Sequence, residues 1–383
     1  MRSAKEDNKH GGLGKKLPKL GFGLMRLPRL PGGDEYDTAQ LNRMVDAFLA
    51  AGQTYFDTAY VYDDGRSEAA IKKALVDRYP RESFQLATKI CSWSSCTDAA
   101  SAQQQFYTSL ARTGAGYFDC YLLHSLTASN AAKYDEYGLW DFAAQLKEKG
   151  LVKHWGFSFH DSPQLLDELL TKHPEADFVQ LQINYADWES PTVASRANYE
   201  TVRRHGKPVI VMEPVKGGTL ANPPARVKDI LTAADKDASP ASWAIRFAAS
   251  LDDVAVVLSG MSSMAQMEDN LSYMRHFAPL TQDERATLAK AQQALSAVDT
   301  IPCTACRYCM AGCPQHIAIP RIFAARNLLS LYGDAAAAKN EYGFAVSDGG
   351  KASDCIACGQ CERNCPQHID IIARLQDCAA TLE

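Results

Sequence analysis

The 383-residue chain has no apolar run long enough to cross a bilayer, which takes about 20 consecutive apolar residues. Residues 1–20 are charged and glycine-rich and lack the apolar core of a secretory signal, so a cytoplasmic protein without a membrane partner is expected. No stripe of lysine and arginine stands out, and the net charge is −5. Phosphate backbones are bound by clustered cations, so nucleic acid is not an expected partner. No GxGxxG follows a strand-like segment, which argues against an open, doubly wound dinucleotide sheet. Cysteine is scarce through most of the chain, since only Cys91, Cys96 and Cys120 precede residue 300.

What is present looks globular: 46% hydrophobic and 22% charged residues. Strand-like segments at 19–25, 55–59, 84–90, 118–124, 152–159, 178–185, 208–213 and 254–259 alternate with helix-period stretches. The helical stretches are 37–51, 67–78, 101–113, 139–150, 162–173, 195–206, 240–250 and 262–274. Ser67 with Glu68, Ser162 with Pro163 and Ser239 with Pro240 read as helix starts; Gly52, Gly150 and Gly206 read as stops. Eight such repeats predict an α/β fold, a (β/α)8 TIM barrel. The barrel is expected over 1–275, a helical linker over 276–300 (with 281–296 as its helix), and a small, mainly helical domain over 301–383.

That last domain holds nine of the twelve cysteines. Cys303-Thr-Ala-Cys306-Arg-Tyr-Cys309-Met-Ala-Gly-Cys313-Pro314 is repeated as Cys355-Ile-Ala-Cys358-Gly-Gln-Cys361-Glu-Arg-Asn-Cys365-Pro366. Three thiolates on one tight loop can face three irons of a cubane, and the fourth sits beside a proline suited to a helix's first turn. Structural zinc calls for two pairs of ligands rather than a triple with a proline-tagged fourth, and disulfides do not suit the clustered spacing. The repeat resembles that of bacterial-type two-cluster ferredoxins, in which the fourth cysteine ligates the other cluster. The resemblance implies two [4Fe–4S] clusters, one on Cys303, Cys306, Cys309 and Cys365, the other on Cys355, Cys358, Cys361 and Cys313. The insert at 315–354, with a helix-like stretch over 320–332, is closer to helical ferredoxins. His316 and His368, which follow the Cys-Pro pairs, read as surface or supporting residues rather than ligands.

In the barrel, Phe56-Asp57-Thr58-Ala59-Tyr60-Val61-Tyr62 continues through Arg66-Ser67-Glu68, and Ala87-Thr88-Lys89 and Tyr121-Leu122-Leu123-His124 follow in order. Gly156-Phe157-Ser158, Gln182-Ile183-Asn184-Tyr185 and Met267-Glu268-Asp269-Asn270-Leu271 come later. This ordered set, spanning residues 15–275, resembles the aldo/keto reductases. The resemblance implies a catalytic tetrad of Asp57, Tyr62, Lys89 and His124 acting on a small carbonyl or alcohol. Asp57, Lys89 and His124 each end an expected strand, which in a barrel places them on the face where catalytic groups collect. Tyrosine ordinarily titrates near about 10, and a nearby ammonium is expected to lower that value toward working pH.

NADP(H) or NAD(H) is the cofactor such a barrel implies, with Ser158, Gln182, Gly260, Ser262, Ser263 and Asn270 as its candidate contacts; the amides opening the last barrel helix would meet a phosphate. The chain departs from the family where Phe159 follows Ser158, where Met212 replaces the tyrosine that stacks on the nicotinamide, and where Gly260 and Gln266 replace the cations that bind the adenosine 2′-phosphate. Glu213, Lys216 and His160 follow strands at the expected mouth, and Cys91, Trp93 and Cys96 lie on the loop after the third strand. Clusters move single electrons whereas the barrel's reaction moves two. That mismatch leaves three arrangements: a flavin splitting the pair, although no flavin motif is present; single electrons entering the substrate site; or clusters that serve folding, sensing or docking to a redox partner protein. The alternative to an enzyme is an electron-transfer or sensing subunit with a non-catalytic barrel.

Overall fold

The computed structural model describes Leu13 and residues 17–190, 193–347 and 349–383. The N-terminal segment 1–20, expected to carry no secretory signal, lies outside these residues except for Leu13 and 17–20. Strands β1 (Leu20–Gly23), β2 (Tyr55–Asp57), β3 (Gln85–Ile90), β4 (Phe118–Leu126), β5 (Val152–Phe159), β6 (Phe178–Gln182), β7 (Val209–Met212) and β8 (Val254–Ser259) pair in parallel in chain order. β8 pairs with β1 through Leu20↔Val257 and Phe22↔Ser259, so the sheet is a closed eight-stranded barrel.

Between the strands run α1 (Thr38–Ala50), α2 (Arg66–Ile71), α3 (Ala99–Thr113), α4 (Ala131–Glu136), α5 (Leu139–Glu148), α6 (Pro163–Lys172), α7 (Ser195–Arg204), α8 (Ala225–Ala234) and α9 (Pro240–Ala249). α10 (Met264–Met274) follows β8. The starts are chemically specified. Asp37 accepts from the Gln40 amide, Ser162 from the Leu165 amide with Pro163 in the first turn, and Ser239 from the Ser242 amide. The stops at Gly52, Gly150 and Gly206 take left-handed φ of 77°, 70° and 66°. Ser67 is not a cap. It is fully buried, donating to the Leu24 carbonyl and bonding the Thr58 hydroxyl, and α2 starts after left-handed Gly65 without a side-chain cap. The helix expected over 67–78 changes to a π turn at Lys72–Val76. α4 and α8 were not expected. α4 is short and α8 begins after prolines, so neither shows a strong periodic signal.

The strand faces turned inward fill the barrel: Tyr55, Ala87, Leu122, Phe178, Ile210, Val256 and Leu258 form one buried cluster with Leu13. β5 can lie against β6 only because residue 156 is glycine; a Cβ there would stand 2.1 Å from the Phe178 carbonyl oxygen.

A second compact unit comprises 190–193, 215–243 and 281–383. It contains α8, α11 (Gln282–Ser296), α12 (Ile319–Tyr332), α13 (Ala335–Ala345), α14 (Gln360–Arg363) and α15 (Ile371–Leu382). A capping box between Thr281 and Glu284 starts α11, which packs on α8. α12, α13 and α15 enclose an apolar core containing Ile317, Ile322, Phe323, Tyr342, Leu375 and Cys378. Among the described residues no helix is long and apolar enough to cross a membrane.

Candidate functional site

Asp57 closes β2, Lys89 is the penultimate residue of β3 and His124 lies near the end of β4, so all three stand at the C-terminal ends of adjacent strands. Tyr62 begins the 3-10 turn Tyr62–Gly65 that follows β2. The Lys89 ammonium is fully buried and makes three bonds: to Asp57 Oδ1 at 2.5 Å, to the Thr58 carbonyl at 2.7 Å and to the Tyr62 hydroxyl at 3.1 Å. It also lies 4.6 Å from the centre of the Tyr62 ring. His124 meets Tyr62 edge-on, with ring centres 5.7 Å apart at 74°. The structure thus gathers the four expected groups into one continuous constellation.

The electrostatics follow from that enclosure. Burial works against the Lys89 charge, but the Asp57 carboxylate and Tyr62 outweigh it and raise its pKa, so Lys89 stays cationic. Burial raises Tyr62, and the opposing pull of Lys89 does not overcome it. This reverses the expected lowering: Lys89 holds the hydroxyl in place, while desolvation keeps it protonated and able to donate. Burial, then the positive charge of Lys89, then His160 push His124 well below the ordinary histidine value, so its ring is neutral.

Neighbours that sequence reasoning did not select complete the site. Gln180, two residues before Gln182 on β6 and so on the same face, donates to Asp57 Oδ2 at 3.1 Å. Its inward position on a barrel strand was the available signal. Trp93, read as a loop residue, donates through Nε1 to the His124 carbonyl at 3.4 Å and sets its ring 5.8 Å from the imidazole. Tyr134 donates to the same carbonyl. The β4–β5 register shifts between Leu123 and Leu126, a bulge beside His124. At the mouth, Arg26 and Glu213 approach to 3.8 Å.

The candidate nicotinamide contacts are distributed over β5, β6 and the start of α10. Ser158 Oγ accepts from the Ser125 amide at 2.6 Å and anchors the bulge beside His124. Gln182 donates to Asp187 at 3.1 Å. Asn270 donates to the Ser259 hydroxyl at 2.7 Å and accepts from Tyr273 at 2.5 Å. Ser263 caps α10, and the Ser262 amide donates to the Gln266 side chain at 2.7 Å. Gly260 is exposed at the end of β8. Ser158, Gln182 and Asn270 each carry an internal bond, and the exposed Gln266 carboxamide occupies the Ser262 amide.

None of the twelve cysteines forms a disulfide. In the second unit Cys303, Cys306, Cys309 and Cys365 line one cavity, and Cys313, Cys355, Cys358 and Cys361 line another. Each cavity takes three thiols from one motif and the fourth from the other. Ile319 lines both. The backbone repeats as well: Ala305 and Ala357 (φ 54° and 57°), Arg307 and Gly359 (φ 68° and 72°), and His316 and His368 (φ 51° and 49°) occupy matching left-handed positions. The two histidines follow the turns that return the chain from Cys313 and Cys365, with their amides bonded to those cysteines' carbonyls at 3.1 Å in each case. Thiols from separate motifs arranged around largely apolar cavities fit cubane clusters, whose irons each take one thiolate.

Comparison with known proteins places both parts of the chain in known families. The aldo/keto reductase family matches residues 19–293, and a 4Fe-4S dicluster domain matches residues 302–369. The chain belongs to the aldo/keto reductase family and carries a C-terminal 4Fe-4S dicluster domain; it is an oxidoreductase of that family. An aldo-keto reductase of Mycolicibacterium vanbaalenii is 30% identical over 275 residues, spanning 71% of this chain and 87% of that protein. One from Mycobacterium avium is 30% identical over 257 residues, spanning 67% and 80%. The holo form of an aldo-keto reductase from Bacillus halodurans superimposes with a TM-score of 0.57 at 25% identity, covering 72% of this chain and 95% of that one. The barrel of a Klebsiella pneumoniae aldo/keto reductase in complex with NADP and acetate shares the fold, with a TM-score of 0.58 at 19% identity over 72% of this chain and 95% of that one.

Proposed function

We propose that the barrel interconverts a small carbonyl compound and its alcohol, with Tyr62 as general acid/base, and that the two cysteine cavities hold [4Fe–4S] clusters that connect the protein to single-electron donors or acceptors. The observation that supports this reading most is the Lys89 ammonium placed between Asp57 and Tyr62, at 2.5 and 3.1 Å.

When bound, a reduced nicotinamide supplies a hydride to the carbonyl carbon. Tyr62 holds the proton that the carbonyl oxygen acquires. Its burial keeps that proton in place at neutral pH, and the Lys89 charge stabilises the phenolate left behind. Asp57, fixed by Gln180, holds Lys89 in line. Neutral His124 directs the substrate oxygen toward Tyr62. In the alcohol direction the same phenolate accepts the proton. Ser158, Gln182 and Asn270, with Gly260, Ser262 and Ser263, are the contacts we assign to NADPH or NADH. Met212 and Phe159, which stand where the family stacks and holds the nicotinamide, support an additional or alternative donor: a ferredoxin-type protein delivering electrons to the clusters, which supply one-electron transfer.

An anaerobic visible spectrum taken before and after NADPH or NADH tests the coupling. Bleaching of the cluster absorption would connect nicotinamide and clusters and call for a search for bound flavin. An unchanged band, together with turnover in a carbonyl panel, would assign the chemistry to the barrel alone. Rapid electron exchange of the clusters with a reductase, without turnover of any carbonyl under any donor, would replace the enzyme reading with that of an electron-transfer subunit.

A further inference from the structure

Tyr62 is followed by three consecutive left-handed residues: Asp63 (φ 52°, ψ 47°), Asp64 (φ 55°, ψ 33°) and Gly65 (φ 84°). Glycine takes this conformation freely, whereas two successive aspartates adopt it against a conformational preference. Something must hold them there. The Asp63 carboxylate, little exposed, accepts from the Tyr36 hydroxyl, from Arg29 at 2.9 Å and from Arg66 at 2.8 Å. Those three side chains are themselves fixed. Arg29 bonds the Asp34 carboxylate at 2.6 Å, Arg66 bonds it at 3.1 Å, and both guanidiniums pack on the Tyr36 ring, 5.2 and 5.5 Å from its centre. The isolated antiparallel bridge Arg29↔Tyr36 and the bond from the Asp37 amide to the Pro28 carbonyl close residues 28–37 into one loop. Glu68 and the Tyr60 carbonyl hold the Arg112 guanidinium on the far side of the turn, at 3.2 and 3.0 Å.

We infer that Asp63 is a positioning residue: gripped by Tyr36, Arg29 and Arg66, its carboxylate holds the left-handed turn that aims the Tyr62 hydroxyl at Lys89. The inference rests on Tyr62 being the proton donor proposed above, but the placement of its ring can be read without turnover. The chemical reason is geometric. A hydroxyl that must meet both Lys89 and a carbonyl oxygen tolerates little displacement, and misplacement of about 1 Å can cost about a hundredfold in rate.

The test uses the full-length holoenzyme with Asp63→Gly, Asp63→Ala and Asp63→Asn. Glycine keeps the backbone conformation without cost but removes the anchor, so a fall in that variant isolates the carboxylate from the strain. Asparagine keeps an oxygen for Tyr36 and Arg29 and tolerates the left-handed region. Asp63→Gly and Asp63→Ala are expected to lower kcat about tenfold or more with little change in KM, while Asp63→Asn stays within about threefold of the parent. In parallel, 3-fluorotyrosine at position 62 reports the ring by 19F NMR under anaerobic conditions. A single line is expected in the parent and in Asp63→Asn, and a split or shifted line in the glycine and alanine variants. Unchanged kcat in Asp63→Gly and Asp63→Ala, or lowered kcat with an unchanged 19F line, overturns the inference whatever happens to the melting temperature. If Tyr62→Phe retains turnover, the catalytic reading fails separately, and the fluorine spectra still decide whether Asp63 holds the ring.

Discussion

Lys89 donates to the Tyr62 hydroxyl across 3.1 Å from a position with no solvent exposure, and the same nitrogen is bound to Asp57 at 2.5 Å. The lysine therefore has two duties. It completes a buried ion pair with Asp57, and in the proposed mechanism it offers charge to an oxygen that alternates between phenol and phenolate.

Removing the Tyr62 hydroxyl separates chemistry from structure. Tyr62→Phe should abolish carbonyl turnover under every electron donor and leave the cluster absorption and melting temperature near those of the parent. Turnover within about tenfold of the parent would dismiss Tyr62 as the proton donor.

The ion pair makes a stability prediction. Lys89→Met leaves the Asp57 carboxylate buried without its cation, expected to cost about 3–5 kcal/mol by denaturant unfolding. The double variant Lys89→Met with Asp57→Asn removes both charges and should recover much of that loss. A single variant as stable as the parent would mean that Asp57 does not carry a charge in the folded state.

His124 titrates far below the ordinary histidine value because burial and the Lys89 charge oppose its protonation. The unfolded chain takes up that proton near about pH 6.5, where the folded chain does not, so stability must fall as pH drops below that point. His124→Gln should flatten this acid limb relative to the parent in urea unfolding measured between about pH 7 and 5. Parallel pH profiles for the two proteins would show that the histidine charges freely in the native state. Tyr62, raised by burial, should leave carbonyl reduction undiminished by its titration until pH exceeds about 10.

Crossed ligation can be tested by pairing substitutions. Cys303→Ala with Cys365→Ala affects one cavity, so about half of the iron should remain after anaerobic reconstitution. Cys303→Ala with Cys313→Ala affects both cavities and should lose nearly all of it. The reverse pattern would mean that each motif supplies all four thiolates of its own cluster.

Much of the architecture was legible because periodic local signals and the fold agreed. Apolar runs at 152–159 and 254–259 became β5 and β8 with the same bounds, and the glycines at 52, 150 and 206 ended helices as their conformational freedom predicts. The cysteine spacing likewise carried its meaning in the chain, because three thiolates on one loop are a local arrangement. α4 and α8 escaped because packing, not periodicity, supports them, and Ser67 was misread because a serine's local capping signal is the same whether its hydroxyl meets an amide or, as here, the distant Leu24 carbonyl.

Sequence order determined which residues end the strands, and thus that Asp57, Lys89 and His124 share one end of the barrel; a parallel sheet closed in chain order permits nothing else. Only the tertiary structure decided how they interact. The reach of Gln180 across to Asp57 and the grip of Tyr36 on Asp63 join residues far apart in the chain, and no local pattern encodes such meetings. The enclosure that keeps Tyr62 protonated despite its lysine is of the same kind, because desolvation is a property of the whole packed barrel rather than of any segment within it.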